Sequence, residues 1–366
     1  MNEFRLFVAL IAGLVAAIVA LPLVILLLPL IFVLLATRLA SRWIEPPYLS
    51  WREVIQFDPH FGWKNRENIS GFHLADDGVY RTTTDSDGWR GAASIDGSDV
   101  LVFGDSYAFG HASSDQYFFA DVNPNLRVKA IGANGYNMVQ EYLWIRELAA
   151  RMRGKLVVWF IYLGNDLADN VEASMEGYRI PFLKEVREAK SWEIVTSHLR
   201  ASPWPSGARN WLSTFSERRA KMFVPGPSSD RMFSACEYLI ANGADVVQKA
   251  GGRLAVVSIP FKDMLTRKGE QVIKSCLCDA SRFDVNYPDS QLAEICAKLA
   301  LPFVAGRGQL GLEHYRVVET HWNVKGSQRV ANLVDDLYRR FEADVAQVLS
   351  RDKKTFAPLH GGFVET

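Results

Sequence analysis

Hydrophobic and polar positions are strongly segregated along this chain. Residues 6–36 contain no charged side chain and are mostly apolar. A bilayer core about 30 Å thick needs about 20 helical residues, so this stretch is long enough for one membrane span. Its length argues against a cleaved signal peptide, while Pro22 and Pro29 favour a bent or tilted helix, with a re-entrant hairpin as the alternative. The pattern predicts a single-pass membrane anchor within residues 1–40.

Residues 41–97 follow the predicted anchor and are rich in Trp, Gly, Asp and Thr. Residues 79–84 (VYRTTT) are typical of a β-strand, and residues 85–88 (DSDG) form a turn cluster. We therefore expect a β-rich N-terminal extension rather than a helical linker.

From residue 98 onward, short apolar runs alternate with stretches of helical periodicity. The predicted strands lie at 99–103, 128–131, 156–163, 254–259 and 302–304. The predicted helices lie at 138–152, 235–249, 290–299 and 325–349. This alternation predicts an α/β domain over residues 98–350, with a mainly parallel sheet covered on both faces, and a C-terminal tail at 351–366.

Residues 171–230 interrupt the alternation with a long irregular segment. The segment carries Trp192, Trp204 and Trp211 together with four prolines near them. A long insertion rich in aromatic residues is typical either of an ordered lid over a functional site or of a peripheral packing subdomain. The sequence favours neither interpretation over the other.

Charge and cysteine content narrow the classes of function. The 41 basic and 41 acidic side chains cancel, which argues against an electrostatic nucleic-acid binder. Aromatic residues make up 12% of the chain and argue against intrinsic disorder. The four cysteines are too few for a disulfide scaffold and lack zinc-finger spacing, so free or buried thiols are expected, with one disulfide as the alternative in an oxidising compartment. We predict no metal and no cofactor.

Residues that could perform chemistry follow the predicted strands or precede the last helix. Ser106, Gly135 and Asn165 follow the first three strands, and His321 precedes the last helix. In α/β sheets ligands bind beyond the carboxyl ends of the strands, so these groups can converge. His321 is suited to be the base for Ser106, and Glu319 to fix its tautomer. The backbone amides of Ser106 and Gly135 with the Asn165 side chain would form an oxyanion hole.

This ordered set resembles the SGNH subgroup of GDSL-type serine hydrolases. The resemblance covers about residues 99–349 and implies a flavodoxin-like three-layer α/β/α domain with Ser106 as nucleophile, Gly135 and Asn165 in the oxyanion hole and His321 as base. Many members place Asp three residues before the His, where this chain has Val318, and Asn where it has Ala130. The acidic residue is instead Glu319, and a backbone carbonyl is the alternative partner of His321.

Further residues are expected around this site. We predict that Trp192, Trp204 and Trp322 contact the substrate, because aromatic faces stack on sugar rings. We also predict that Asp166 contacts the substrate, with a helix-capping role as the alternative. His314 precedes His321 in the same loop and is the one plausible alternative base.

The resemblance also indicates a biological setting. Residues 87–91 (DGWRG) and 321–323 (HWN) are similar to those of envelope-associated members that act on O-acyl groups of polysaccharides, including relatives of alginate acetylation enzymes. The implied function is a membrane-anchored serine esterase or O-acyltransferase acting on acyl, in particular acetyl, esters of a cell-envelope or extracellular polysaccharide. The alternatives are a lipid or acyl-thioester hydrolase of the same fold and a non-catalytic glycan-binding or scaffold protein.

Partners and location follow from that function. The expected partners are an acylated glycan or lipid-linked substrate, the membrane and envelope polysaccharide assembly proteins. The expected location is the bacterial inner membrane. Arg38, Arg42 and Arg52 after the anchor favour a cytoplasmic catalytic domain, whereas the resemblance favours the periplasmic side, which we adopt.

Overall fold

The structure is a computed structural model. It describes residues 49–75, 78–175, 178–186, 188–189, 191–199 and 217–355, together with scattered positions between 21 and 36. The chain divides into two compact units, Met1–Leu49 and Ser50–Thr366.

The N-terminal unit contains the predicted anchor. Its described positions between residues 21 and 36 are helical. Among the residues that the structure describes, no helix is both long and apolar enough to cross a membrane. Most of residues 6–36 lie outside the described residues, so the membrane span stays a prediction.

The second unit begins with the extension, which has the short strands that the sequence predicts. After helix α1 (Trp51–Val54), it forms strands β1 (Ile55–Asp58), β2 (Gly62–Asn65), β3 (Ser70–Ala75) and β4 (Gly78–Thr83). β1 pairs with β2 and β3 with β4, both antiparallel. The 85–88 turn follows β4, and Asp85 Oδ1 there accepts hydrogen bonds from the backbone N–H groups of Asp87 and Trp89.

The first half of the α/β domain alternates strands and helices. Its elements are β5 (Val100–Gly104), α2 (Ser106–Phe109), α3 (Phe119–Val122), β6 (Val128–Gly132), α4 (Met138–Glu147), β7 (Leu156–Tyr162) and α5 (Asp166–Asp169). α4 begins at a capping box, in which Asn137 and Gln140 each bond the other's backbone N–H.

The 171–230 segment is more regular than predicted. It contains two small antiparallel hairpins, formed by β8 (Ser174–Met175) with β9 (Tyr178–Arg179) and by β10 (Phe182–Val186) with β11 (Ser191–Val195). After α6 (Glu217–Ala220), the next helix already begins at Pro227. The expectation of an irregular segment is therefore wrong for its described part. The hairpin strands are two to five residues long, and β10 and β11 carry charged residues among their apolar ones, so they lack the continuous apolar run of the central strands. Pro227 at the first helical turn starts the helix eight residues before the predicted position.

The second half of the domain completes the sheet. Its elements are α7 (Pro227–Lys249), β12 (Arg253–Ile259), α8 (Arg267–Ser275), α9 (Tyr287–Lys298), β13 (Phe303–Ala305) and α10 (Val324–Thr355). α8 has no counterpart among the predicted helices.

The central strands form one parallel five-stranded sheet in the described chain. Its spatial order is β13-β12-β7-β5-β6. Numbered along the chain, this is the 2-1-3-4-5 order of flavodoxin-like folds. The order reverses between β5 and β7, which makes the carboxyl ends of these two strands the place where such folds bind ligands.

Both faces of the sheet are buried, as the apolar runs predict. Alternate residues of β7 point to opposite faces, so Val157, Trp159 and Ile161 join the core beneath α4, α7 and α9. Val158 and Phe160 join the core beneath α3 and α10. The three-layer α/β/α arrangement is therefore confirmed.

Candidate active site

Ser106 lies immediately after β5, where the chain turns into α2. Asp105 caps this helix, because its carboxylate accepts a 2.9 Å hydrogen bond from the backbone N–H of Tyr107. Gly110, in the left-handed conformation with φ of 71°, ends the helix after one turn. Asn165 follows β7, so Ser106 and Asn165 emerge from the two strands that flank the switch point.

The structure brings Ser106, His321 and Glu319 into one chain of hydrogen bonds. Ser106 Oγ lies 2.7 Å from His321 Nε2. On the other side of the imidazole, His321 Nδ1 lies 2.8 Å from Glu319 Oε1 and 2.9 Å from Oε2. Glu319 Oε2 also accepts a 2.7 Å hydrogen bond from the backbone N–H of His321. A hydroxyl, an imidazole that can act as its base and a carboxylate that can orient the imidazole therefore stand in line.

Several contacts fix the loop that carries His321. The His321 carbonyl accepts a 3.1 Å hydrogen bond from the backbone N–H of Arg316, which closes the loop into a narrow turn. The Tyr107 hydroxyl donates a 2.8 Å hydrogen bond to the carbonyl of Thr320. Asn323 then ends the loop, since its Oδ1 accepts from the backbone N–H of Gly326 at 3.0 Å. Tyr107, which directly follows Ser106, thus holds the backbone next to His321.

Opposing electrostatic effects act on the base. Burial disfavours the imidazolium form of His321, but the negative charge and hydrogen bond of Glu319 outweigh burial and raise the pKa of His321 above 6.5. Burial likewise opposes ionisation of Glu319, yet His321 holds the pKa of that carboxyl far below its usual range. Glu319 is therefore ionised whenever His321 titrates.

Asn165 and Gly135 occupy neighbouring loops on the same edge of the sheet. Asn165 Nδ2 lies 3.4 Å from the carbonyl of Tyr136, the residue after Gly135, and 3.1 Å from Asp166 Oδ1. Gly135 has a φ of 76°, and a Cβ there would lie 2.8 Å from Met175 Cε. The left-handed backbone favours glycine at this position, whereas the flexible end of Met175 could move away from a Cβ.

The N-terminal extension holds the loop that contains Gly135. Trp63 Nε1 donates a 3.1 Å hydrogen bond to the carbonyl of Asn134, and Asn65 Nδ2 donates a 2.8 Å hydrogen bond to the carbonyl of Gly132. In return, the Tyr136 hydroxyl donates to the carbonyl of Trp63 at 2.9 Å. Trp63, Asn65 and Tyr136 were not among the residues predicted at the site. Strand β2 is thus a support for the predicted oxyanion loop.

Replacing Trp63 with Phe is expected to lower kcat about ten- to a hundredfold, because a small displacement of an oxyanion donor is costly while the aromatic ring still fills the site. KM should change little, since Trp63 is fully buried and meets the loop from behind. Steady-state kinetics on an ester substrate measures this split. Trp192→Phe is the matched control, because it removes an indole donor that bonds Ser234 at 3.3 Å instead. Equal losses of kcat in Trp63→Phe and Trp192→Phe would contradict the proposal that Trp63 holds the oxyanion loop in place.

Two further histidines lie beside the base and were not predicted there. The ring of His111 lies 4.8 Å from that of His321, and His73 from β3 stacks on His111 at 5.3 Å. Burial lowers the pKa of His111 to about 3 and that of His73 to about 4, so both rings are neutral at physiological pH. Within the described chain, His111, Glu319 and His321 also form a group that could hold a metal ion, with one ligand atom from each within 4.8 Å of the others.

Buried carboxyl groups lie under the site. Burial raises the pKa of Asp105 to about 6 and raises that of Asp166 and Glu141 well above the usual range. Asp166 has no exposed surface, and it accepts hydrogen bonds from the backbone N–H of Tyr162 at 2.6 Å and from Asn165. The prediction that Asp166 contacts substrate is therefore wrong; this carboxyl orients the Asn165 amide.

The two described tryptophans of the predicted substrate-contact set, Trp192 and Trp322, pack against other parts of the protein. Trp322 is 3% exposed and packs against Tyr107 and Phe160 in the core, so its predicted contact with substrate is wrong. Trp192 packs on α7, where it contacts Ser234 and lies below the guanidinium of Arg231. Trp204 lies outside the described residues. Periodicity alone could not separate a core tryptophan from a binding one.

The alternative base has a different role. His314 Nδ1 accepts a 2.9 Å hydrogen bond from the backbone N–H of Gly311, and this contact stabilises a turn upstream of the catalytic loop. All four cysteines carry free thiols, with Cys236 and Cys296 buried and Cys278 exposed.

Comparison with known proteins yields only structural likenesses. No protein-family model matches the sequence, and no curated protein matches it significantly. The chain is similar to a lipolytic protein of the G-D-S-L family from Veillonella parvula, at 10% identity over 66% of this chain and 98% of that chain, with a TM-score of 0.36. It is also similar to a GDSL-like lipase from Bacteroides thetaiotaomicron, at 14% identity over 66% and 87% of the two chains, with a TM-score of 0.35.

Proposed function

We propose that this protein is a serine-dependent carboxylic ester hydrolase or O-acyltransferase. The observation that carries the proposal is the continuous hydrogen-bonded line from Ser106 Oγ through His321 to Glu319, with contacts of 2.7 and 2.8 Å. A serine without a base would remain protonated, whereas Ser106 has a base whose second nitrogen is held by a carboxylate.

In the first half-reaction, Ser106 Oγ attacks the acyl carbonyl carbon while its proton moves to His321 Nε2. The resulting oxyanion is held by the backbone N–H groups of Ser106 and Gly135 and by the Asn165 Nδ2 hydrogen that otherwise faces the Tyr136 carbonyl at 3.4 Å. The tetrahedral intermediate collapses when the alkoxide leaves and takes the proton from His321. The products of this step are the free alcohol and an acyl ester on Ser106.

The second half-reaction repeats these steps with a different hydroxyl compound. His321 removes a proton from the incoming molecule, whose oxygen attacks the acyl-enzyme carbonyl, and then returns that proton to Ser106. Water as the acceptor gives a hydrolase, and a sugar hydroxyl gives a transferase. The same residues serve both reactions.

The substrate we propose is an acyl, in particular acetyl, ester on a cell-envelope polysaccharide. Two sequence features support it: the similarity of residues 87–91 and 321–323 to envelope-associated enzymes and the charge-free segment 6–36, which would anchor the domain in the bacterial inner membrane. The catalytic domain would face the periplasm, where acylated glycans and envelope assembly proteins are found. The zero net charge suits a substrate that is neutral at the reacting ester.

One structural observation favours a second substrate class, a lipid or another long-chain acyl ester. Val317 and Val318, directly before Glu319, are 85% and 78% exposed. Large apolar side chains so exposed beside a catalytic loop are suited to contact an acyl chain. In this alternative, the same serine would release a fatty acid rather than acetate.

Labelling with a fluorophosphonate probe tests the proposed reaction. The full chain in detergent is expected to be labelled stoichiometrically, and the Ser106→Ala variant is expected not to be labelled. Equal labelling of both would refute a catalytic Ser106, and no labelling of either would favour a glycan-binding or scaffold protein. Acid release from acetylated polysaccharide and from acyl-lipid, with and without an acceptor glycan, then separates the two substrate classes and distinguishes hydrolysis from transfer.

A further inference from the structure

The catalytic base has a second imidazole beside it that the proposed mechanism does not use. His111 follows α2 and lies with its ring 4.8 Å from that of His321. One ligand atom from each of His111, Glu319 and His321 lies within 4.8 Å of the other two. Ester hydrolysis by a serine needs one imidazole, so the second requires another explanation.

We propose that His111, Glu319 and His321 form an inhibitory binding site for a divalent transition-metal ion, with Zn²⁺ as the best match. Two imidazoles and one carboxylate are a ligand set that zinc prefers, and they leave a fourth position for water. The inhibitory consequence rests on the proposed function, but metal binding does not.

The positions of the ligand atoms require only side-chain adjustment. Bonds of about 2.0–2.1 Å in tetrahedral geometry separate ligand atoms by about 3.3 Å. Glu319 and His321 are already 2.8 Å apart, so a metal ion would replace the proton that they share. His111, in the turn after α2, must approach from at most 4.8 Å by rotation about its side-chain bonds.

The Asn134 side-chain amide can support His111 in the manner of a metal ligand if it rotates. Asn134 Nδ2 lies 3.1 Å from His111 Nδ1, whereas Asn134 Oδ1 is buried without a hydrogen-bond partner. Rotation of this amide by 180° would let Oδ1 accept a proton from Nδ1, which leaves Nε2 as the ligand nitrogen. His73 stacks behind the ring, and its own Nε2 is likewise buried and unpartnered.

Occupancy of this site would switch off the reaction. A metal ion on Nε2 of His321 would occupy the atom that accepts the Ser106 proton. A metal ion on Nδ1 would break the contact with Glu319 that orients the imidazole. Arg316 lies close enough to act electrostatically on His321, and its positive charge opposes a cation. We therefore expect an affinity below that of a structural zinc site, as suits reversible inhibition.

Direct metal binding is measured first, on a protein that cannot turn over. Full-length Ser106→Ala, stripped with EDTA, is titrated with Zn²⁺ by calorimetry and with Co²⁺ by visible absorption. One equivalent of metal is expected to bind. His111→Phe in the same background should weaken binding more than about tenfold, as even an outer-shell change does. His111→Gln is the second variant, because it keeps an amide that Asn134 can bond. His314→Ala is the control and should bind like its parent.

Inhibition is measured next, with each variant compared with its own metal-free rate. Zn²⁺ is expected to inhibit the wild type and His314→Ala equally, and the inhibitory concentration should rise more than about tenfold in the His111 variants. The proposal fails if Ser106→Ala binds no metal, or if the His111 variants bind and respond like the wild type. Activation by Zn²⁺ would overturn the inhibitory role and the serine mechanism together. If Ser106→Ala binds metal but the wild type is not labelled by the fluorophosphonate probe, only the proposed function is overturned.

Discussion

The double variant Ser106→Ala/His321→Ala is expected to turn over an ester no more slowly than either single variant does. Each single replacement should lower kcat about 10⁵- to 10⁶-fold, because residues of a catalytic triad act as one unit. The 2.7 Å contact of Ser106 Oγ with His321 Nε2 is the reason for this non-additivity. Without the base the serine keeps its proton, and without the serine the base has nothing to activate.

Single-turnover and steady-state assays on the four proteins measure this cycle. The three variants should retain a similar residual rate, supplied by substrate binding and by the oxyanion donors alone. His314→Ala is the control, because its imidazole bonds Gly311 rather than Ser106. Losses that multiply in the double variant would mean that the two side chains act independently, and the proposed mechanism would then be abandoned.

The central sheet could be predicted, because a strand that is buried on both faces consists of consecutive apolar residues. Strand β7 is a continuous apolar run, since α4 and α7 cover one face and α10 the other. The end of each apolar run is also visible in the neighbouring sequence. Ser106 and Asn165 could therefore be placed at the same edge of the sheet from their positions after β5 and β7.

The contacts around the site could not be predicted in this way, because they join distant parts of the chain. Trp63 and Asn134 are 71 positions apart, and only the folded extension brings the indole to that carbonyl. Trp322 next to the base resembles a binding residue in sequence, but the packing of Phe160 and Tyr107 encloses it. A short hairpin such as β10–β11, whose strands mix apolar and charged residues, is specified by cross-strand pairing rather than by a continuous apolar run.

Replacing Glu319 with Gln is expected to lower kcat about 10³- to 10⁴-fold, although the side chain keeps its length. The carboxylate accepts from His321 Nδ1 at 2.8 Å and so fixes the tautomer whose Nε2 accepts the serine proton. A glutamine can turn its amide N–H toward His321 Nδ1 and donate a hydrogen bond to it. That contact stabilises the opposite tautomer, in which Nε2 carries the proton and cannot accept one from Ser106. The loss should appear in kcat more than in KM, because Glu319 contacts the base rather than the substrate.

The pH profile gives a second readout of the same replacement. His321 must be neutral to act, so the wild-type rate should rise with pH through a pKa above 6.5, because Glu319 raises the pKa of His321. In Glu319→Gln the burial of His321 is opposed only by the smaller effect of the Asp105 charge, and the pKa of His321 should fall. The acidic limb of kcat/KM is therefore expected to shift to lower pH while the maximum falls.

Glu319→Asp separates the carboxylate from its chain length. This variant restores the charge one methylene further from the ring, so it should keep an acidic limb near that of the wild type and lose less activity than Glu319→Gln. If both variants behaved like the wild type, a backbone carbonyl would orient His321 instead. The carboxylate hydrogen bonds to both the ring and the backbone N–H of His321 favour Glu319, because two contacts to one residue fix the ring relative to its own backbone.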